Sequence, residues 1–290
     1  MLDIHSDTFQ KQLKVFIAQA LFEDVGAGDL TAMACLSSRT IAYAKCILRE
    51  SGIIAGLTLA EMIFKQFDKS IEFISNYVDG DYVKAGEILF EVKGRQRSIL
   101  SSERVVLNSI QRMSGIATLT RKVQKSISHT HCKVLDTRKT TPGFRIIEKW
   151  AVQIGGGVNH RMGLYDMIML KDNHIDYCGS ISVALKKTLE YLRNSQQDIP
   201  IVVEVRNLKE VRDCIPYADN LKRLLLDNMD TQEIREALQI IDSRIQTEAS
   251  GGINFENAPD YAETGVNFIS MGSIIYDAKV LDMSLKAFEH

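Results

Sequence analysis

From residue 133 onward, short apolar runs alternate with helical patterns, and this alternation constrains the fold more than any other feature of the chain. The apolar runs cover residues 133–135, 167–170, 199–205, 224–226, 245–248 and 266–269, and the helical patterns cover 181–193, 207–213 and 231–241. Repeated strand and helix units of this kind are typical of a parallel β-sheet. Six strands in such units predict an α/β barrel over this part of the chain.

The first third of the chain has a different pattern. Apolar residues at helical spacing over 8–22 predict an opening amphipathic helix, and residues 23–29 are predicted to form a loop. Strand-like runs interrupted by glycine follow at 41–48, 53–55, 71–78 and 88–92. A polar stretch, 93–97, is predicted to lead into a long helix that begins near Ser101. This region therefore predicts a small sheet of its own, packed on helices.

Charge and cysteine content exclude several classes of protein. The formal net charge is -2 and the pI is about 6.3, so no global positive field would gather nucleic acid or an anionic membrane. The five cysteines are scattered without a CxxC pair, which argues against a disulfide framework or a structural zinc site. No long uncharged apolar stretch indicates a signal peptide or a membrane span. We therefore expect a cytoplasmic protein that binds neither nucleic acid nor membrane.

Polar residues follow each apolar run of the predicted barrel. In this fold the active site forms at the carboxyl ends of the strands, so these residues are the candidates for chemistry. In chain order they are Asp136, Arg138, Lys139, Lys171, Asp172, His174, Glu204, Asp227, Asn228, Ser250, Gly251, Gly252, Ser270 and Gly272.

The early members of this set are mostly cationic. Together with Arg145, His160 and Arg161 they predict a site for a small dicarboxylate or a phosphate, since guanidinium groups bind carboxylates through two parallel bonds. The alternative for any one of these cations is a surface charge that is solvated or paired with Glu148 or Asp166.

The later members predict a metal and a phosphate site. Glu204 and Asp227 each close a strongly apolar run, and two carboxylates at one barrel mouth suit Mg²⁺, bound directly or through water or substrate. The glycine loops 250–252 and 270–272 would present backbone N–H groups to a sugar phosphate, because barrels commonly bind phosphate through their last loops. The alternative for each of the two carboxylates is a simple ion pair. The alternative for the glycines is an ordinary turn.

Several runs match a known pattern over nearly the whole chain. They are 28–31 (GDLT), 52–56 (GIIAG), 136–145 (DTRKTTPGFR), 155–161 (GGGVNHR), 170–174 (LKDNH), 203–205 (VEV), 226–228 (LDN) and 248–252 (EASGG). These runs resemble the quinolinate phosphoribosyltransferase family, and 136–145 is the most specific of them.

The resemblance implies a fold of mixed α/β class, with an α+β amino-terminal open sandwich joined to a partial, TIM-like α/β barrel. It places the sandwich domain at 1–114 and the catalytic barrel at 115–276, with 277–290 packing back on the first domain. It also implies a homo-oligomer, a dimer or a hexamer, in which Arg104 is donated to the barrel of a partner subunit.

The implied reaction belongs to de novo NAD synthesis. Quinolinate attacks phosphoribosyl pyrophosphate with Mg²⁺, and the products are nicotinate mononucleotide, pyrophosphate and CO2. Lys139, Glu204 and Asp227 would be catalytic, and Glu204 and Asp227 would also contact the metal and the ribose. The full substrate-binding set implied is Arg104, Arg138, Lys139, His160, Arg161, Lys171, Glu204, Asp227, Ser250, Gly251, Gly252, Ser270 and Gly272. One position departs from the family, because Tyr276 replaces a histidine and cannot carry a positive charge there.

Three other readings make different predictions. A ModD-like homologue that acts on another substrate shares the Thr-Arg-Lys-Thr run, although this chain keeps residues that such proteins alter. A Schiff-base lyase using Lys139 or Lys171 would need no Mg²⁺ and would be trapped by borohydride. A non-catalytic anion-binding barrel would bind phosphoribosyl pyrophosphate without consuming it.

Overall fold

A computed structural model describes residues 3–288 of the chain. These residues form two compact units. The amino-terminal unit contains residues up to 121 together with 140–157 and the segment from 274, and the barrel unit contains 122–139 and 158–273. Among the described residues, no helix is both long enough and apolar enough to cross a membrane.

The helices and strands are numbered along the chain. The helices are α1 (Asp7–Val25), α2 (Leu30–Cys35), α3 (Leu57–Phe67), α4 (Gln96–Ser126), α5 (Arg145–Ile154), α6 (Asp172–Cys178), α7 (Ile181–Ser195), α8 (Leu208–Cys214), α9 (Thr231–Ile241), α10 (Ala258–Ala262) and α11 (Ser273–Tyr276). The strands are β1 (Ile41–Leu48), β2 (Gly52–Ile53), β3 (Glu72–Ile74), β4 (Tyr82–Val83), β5 (Ile88–Arg95), β6 (Lys133–Leu135), β7 (Ile168–Leu170), β8 (Ile201–Val205), β9 (Arg223–Asp227), β10 (Gln246–Ser250), β11 (Phe268–Ser270) and β12 (Met283–Phe288).

The predicted opening helix is confirmed as α1. Its first turn is capped by Ser6, whose side chain accepts from the Phe9 amide, and its buried face includes Leu13 and Ile17. The predicted loop at 23–29 is wrong at its start, because the helix continues through Val25 and ends only where Gly26 adopts a φ of 52°. Neither Glu nor Asp breaks a helix by itself, whereas glycine is the residue that most readily adopts a positive φ.

An antiparallel sheet forms in the amino-terminal unit, with strand order β12-β1-β5-β3. The predicted strand end at residue 92 and the predicted helix start near Ser101 are both wrong, because β5 runs through the polar stretch to Arg95 and α4 begins at Gln96. The charged residues fit this strand because each is paired beside it. Lys93 lies 3.1 Å from Glu72 on the neighbouring strand, and Arg95 lies 2.8 Å from Asp68.

A second correction concerns the predicted strand at 71–78, which in the structure is only β3. It stops at Ile74 because the next side chain competes with the strand ladder. The Ser75 hydroxyl donates to the carbonyls of Tyr77 and Leu89 and accepts from the Tyr77 amide. Serine commonly bonds to nearby backbone in this way, and such bonds replace the regular strand ladder after Ile74.

A buried ion pair joins two helices of the amino-terminal unit. Arg112 on α4 donates through Nε and Nη2 to Glu148 on α5, at 3.0 and 2.9 Å, and the Glu148 side chain is fully buried. Arg112 also donates to the carbonyls of Ile275 and Ala278. The Glu148 carboxylate accepts from both the amide and the hydroxyl of Thr141. One arginine and one glutamate therefore hold three separate chain segments together.

Arg112→Met is expected to lower the free energy of unfolding by ~3 kcal/mol, because it leaves the Glu148 carboxylate buried without its cation. Equilibrium unfolding in urea would measure the change. K93M is the matched control, since the Lys93–Glu72 pair is exposed on both sides and such pairs contribute ~1 kcal/mol or less. An equal, small effect for both variants would contradict this assignment.

The barrel unit is built on six parallel strands in the order β6-β11-β10-β9-β8-β7. The predicted strand at 133–135 and the predicted helix at 231–241 are reproduced residue for residue as β6 and α9, and the other five predicted strands lie within two residues of β7 to β11. A buried apolar cluster inside this sheet contains Met167, Val202 and Leu225, with Met169 packed against it. The predicted partial α/β barrel is thus confirmed.

Candidate active site

The carboxyl ends of the parallel strands bring the predicted polar residues to one edge of the sheet. Asp227 closes β9 and is in register with Ser250, which closes β10. Glu204 lies one residue before the end of β8, and Ser270 closes β11. Because neighbouring parallel strands end together, residues that are far apart in sequence meet at this edge.

A lysine and two carboxylates form the acidic part of this edge. Lys171 Nζ donates to Glu204 Oε2 at 2.8 Å, and the Glu204 side chain is only 9% exposed. Burial raises the pKa of the Asp227 carboxyl, and the charge of Glu204 raises it further, while Lys171 and Asn228 oppose the shift. The two carboxylates therefore act on each other, and a cation bound between them would relieve their repulsion.

Asn228 links Asp227 to the glycine loop that follows β10. Its backbone adopts a φ of 55°, its amide donates to the Ser250 carbonyl, and its side chain donates to Asp227 Oδ2 at 2.7 Å. Gly251 lies against it, since a Cβ added to Gly251 would fall 2.1 Å from Asn228 Oδ1. Gly252 also has a positive φ, of 63°, but has open space around it.

The segment after β6 is organised by a buried aspartate. Asp136 accepts from the Asn159 side chain at 2.7 Å and from the His160 amide at 2.8 Å. The His160 ring nitrogen Nδ1 in turn accepts from the Arg161 amide at 2.7 Å. Asp136 thus sets the backbone of the Asn-His-Arg run, a role that its position at a strand end did not by itself indicate.

Two arginines make a cationic site near this segment. Arg161 is 8% exposed and donates through Nη1 to the Met167 carbonyl. Burial lowers the pKa of the Arg161 guanidinium, and the charge of Arg138 lowers it further. Two like charges that act on each other in this way favour a bound anion. The neighbouring Lys139 amide donates to the Thr137 hydroxyl.

Glu248 is a buried carboxylate that the list of strand ends did not include. It lies inside β10, where Oε2 accepts from Arg223 Nη1 at 2.7 Å and lies 3.4 Å from His160 Nε2. Burial opposes its ionisation, but the contacts with His160 and Arg223 prevail, so the pKa of Glu248 stays below its ordinary value. Glu248 closes the apolar run 245–248 and opens the run 248–252 that resembles the family, and these two features are the signals in the sequence that point to this residue.

Three predicted residues belong to the amino-terminal unit. Arg104 is exposed on α4, and Tyr276 on α11 is 58% exposed. The Arg145 side chain donates to the Thr140 hydroxyl at 3.0 Å.

His174, predicted beside the site, instead accepts from the Lys171 amide through Nδ1 and helps begin α6.

The geometry agrees with comparisons to known proteins. Residues 29–114 match the model of the quinolinate phosphoribosyl transferase amino-terminal domain, and residues 116–286 match that of its carboxyl-terminal domain. A chloroplastic nicotinate-nucleotide pyrophosphorylase [carboxylating] of Oryza sativa is 44% identical over 288 residues, covering 94% of this chain and 77% of the relative. A probable enzyme of the same name from Bacillus subtilis is 40% identical over 274 residues, covering 94% and 93%.

Solved structures give the same result. The crystal structure of NadC from Streptococcus pyogenes superposes with a TM-score of 0.90 at 34% identity, covering 98% of this chain and all of that one. The nicotinate-nucleotide pyrophosphorylase of Francisella tularensis gives a TM-score of 0.88 at 39% identity, covering 96% of each chain. The chain therefore belongs to the quinolinate phosphoribosyltransferase family, as the resemblance of its runs predicts.

Proposed function

We propose that this protein transfers the phosphoribosyl group of phosphoribosyl pyrophosphate to the ring nitrogen of quinolinate, with decarboxylation, to give nicotinate mononucleotide, pyrophosphate and CO2. The family and the names of the relatives support this carboxylating pyrophosphorylase activity in NAD biosynthesis. The observation that carries the proposal is one strand edge that joins Lys171, Glu204 and Asp227. A site that binds a dianionic acid and stabilises a ribosyl cation needs both positively and negatively charged groups at one edge.

Quinolinate binding is proposed for the cationic part of the site. Arg138, Arg161 and Lys171 supply fixed positive charge for its two carboxylates, with Lys139 beside them. Arg104 of a partner subunit is proposed to complete this set. Holding the ring nitrogen near the ribose carbon converts a bimolecular attack into an oriented one, which is a large part of the rate enhancement.

Departure of pyrophosphate is proposed to depend on Glu204 and Asp227. As the glycosidic bond to pyrophosphate lengthens, positive charge develops on the ribosyl carbon and its ring oxygen. Two preorganised carboxylates at this edge stabilise that charge. Asn228, Gly251, Gly252, Ser250, Ser270 and Gly272 are proposed to bind the phosphates through side-chain and backbone donors.

Mg²⁺ is proposed as the cofactor, held by Glu204 and Asp227. The residues fit such an ion, because burial raises the pKa of Asp227 and the charge of Glu204 raises it further, and a bound cation would offset both effects. Within residues 3–288, no group of three His, Cys, Asp or Glu side chains is arranged to hold a metal. Mg²⁺ commonly takes only one or two protein carboxylates and completes its shell with substrate phosphates and water. When bound, it would neutralise charge on the leaving pyrophosphate.

Decarboxylation is proposed to follow on the nucleotide itself. The carbon–carbon bond to the carboxylate next to the ring nitrogen breaks, CO2 leaves, and the pyridinium ring receives the electron pair. The ring carbon then takes a proton from solvent or from a nearby acid. The chain therefore needs only to hold the intermediate in place for this step.

We also propose a homo-oligomer in which the exposed Arg104 reaches the barrel of a partner subunit. Sedimentation would give the size of the assembly, and mixing R104A with D227N subunits would restore activity only if the sites are shared. A cytoplasmic location is proposed as well, and the five free cysteines of the structure support a reducing compartment.

The direct test mixes pure protein with quinolinate, phosphoribosyl pyrophosphate and Mg²⁺ and follows nicotinate mononucleotide and CO2. Nicotinate is the parallel substrate, and a sample with EDTA in excess tests the metal. Product from quinolinate alone, lost on chelation, is the expected result. No turnover of either acid by folded protein would overturn the proposal.

Asn228→Gly is expected to move the acid limb of kcat toward higher pH. The ionised Asp227 carboxylate is the active form, so activity falls as pH drops through its pKa, which is already raised. The Asn228 bond favours the charged form, and removing it raises the pKa of Asp227 further. Glycine keeps the positive φ at this position. Q196G, at another non-glycine residue with positive φ, is the control that should leave the pH profile unchanged.

A further inference from the structure

Three contacting side chains form a row in the interior of the barrel unit, and the reaction proposed above does not use this row. It begins at Arg223, continues through Glu248 and ends at His160. All three side chains are at most 7% exposed. Burying an ion pair in this way costs substantial desolvation energy, so the pair adds little net stability by itself.

The pair of Arg223 and Glu248 is charge-balanced by itself. Arg223 Nη1 donates to Glu248 Oε2 at 2.7 Å, and the Arg223 guanidinium lies 4.2 Å over the Phe268 ring. One cation and one anion therefore form a balanced pair beside the His160 ring.

The bonds of the His160 ring define where its proton lies. Nδ1 accepts from the Arg161 amide at 2.7 Å, and a nitrogen that accepts carries no proton. The proton therefore lies on Nε2, which faces Glu248 Oε2 at 3.4 Å. That separation is long for a full hydrogen bond, so the contact is mainly electrostatic attraction between N–H and carboxylate.

We infer that Glu248, supported by Arg223, is a positioning residue that holds His160 as its Nε2–H tautomer, so that Nδ1 can anchor the backbone of the substrate-binding Arg161. In this assignment the His160 ring is a neutral support for Arg161 and not a cationic ligand of quinolinate. An aspartate that fixes the tautomer of a catalytic histidine in serine proteases acts by the same physics. The kinetic part of the inference rests on the proposed function.

Two double variants separate positioning from folding. In R223M/E248M both charges are removed together, which is often tolerated, but the carboxylate that faces Nε2–H is lost. In R223M/E248Q the cation is also absent, yet the carboxamide oxygen restores an acceptor for Nε2–H. A purely structural role of the ion pair predicts the same behaviour for both variants. The positioning role predicts that only the glutamine restores function.

The first measurement is the ¹⁵N spectrum of histidine-labelled protein, with His160 assigned from an H160Q sample. The expected result is the Nε2–H tautomer in the wild type and in R223M/E248Q, and a tautomer mixture in R223M/E248M. E263M is the matched control, because Glu263 contacts His129 in a histidine–glutamate pair on the surface of the same unit. That variant should leave the His160 signals and the kinetics unchanged.

The second measurement is steady-state kinetics. In R223M/E248M the KM for quinolinate should rise about tenfold, the cost of one weakened hydrogen bond, with kcat nearly unchanged because a carboxylate contact persists in the transition state. R223M/E248Q should recover most of this loss. A wild-type His160 that is protonated on Nδ1 would overturn the inference even if neither variant folds. Equal impairment of the two double variants would also overturn it. The spectra do not depend on turnover, so a failure of the proposed function is distinguished from a failure of the positioning role.

Discussion

Replacing Asp227 with asparagine is expected to lower kcat by about a thousandfold, near the upper end for loss of one preorganised electrostatic group. The carboxylate is partly buried beside Glu204, and an amide of the same shape cannot stabilise the ribosyl cation or share a metal ion. Because the effect is on charge that develops in the transition state, kcat and kcat/KM should fall together.

Single-turnover and steady-state assays on D227N would measure this loss. D198N, an exposed aspartate of the barrel unit, is the matched control and should retain full activity. Normal kcat with only a raised KM in D227N would contradict the assignment, because Asp227 would then contribute equally to substrate and transition-state binding.

Replacing Gly251 with alanine is expected to lower kcat/KM for phosphoribosyl pyrophosphate by about a hundredfold, as misplacement of a binding group by about 1 Å can do. The new Cβ would lie 2.1 Å from Asn228 Oδ1 and 3.0 Å from Asn228 Cα, so the loop or the asparagine must move. Either movement disturbs the bond from Asn228 to Asp227. One methyl group would therefore disturb both the loop that follows β9 and the loop that follows β10.

The control for this variant is Gly179→Ala. Gly179 has a φ of 91°, close to the 98° of Gly251, but nothing lies within 4 Å of its Cβ position. Both variants carry a similar backbone penalty, which thermal unfolding would measure. Only G251A should lose activity, and an equal loss in both would show that backbone strain, and not the contact with Asn228, is responsible.

Much of the fold follows from local sequence patterns. The central strands β8 and β9 are buried on both faces, so they appear as short apolar runs. The bounds of β6 and α9 agree with the sequence prediction. Errors occurred where charged residues lie in regular structure. The sequence predicts that the strand ends at residue 92, before Lys93 and Arg95, but their partners from distant segments, Glu72 and Asp68, allow both residues to lie in the strand.

The candidate site was likewise predictable from the sequence only in part. The residues at strand ends could be predicted, because parallel strands bring their carboxyl ends to one edge whatever the details of packing. The contacts that hold these residues in place could not be predicted from the sequence. Glu248 contacts a residue 25 positions earlier, Arg223, and Arg112 contacts Glu148 at a separation of 36 positions. Neither pairing has a periodic signal in the chain.

Local sequence patterns thus predict which segments are strands, which residues close them, and which family the chain belongs to. The pairing of Lys171 with Glu204, the raised pKa of Asp227 and the contact of Glu248 with His160 depend on which segments the sheet brings together. Strand order and burial determine these properties, because distances and desolvation exist only once the sheet has formed.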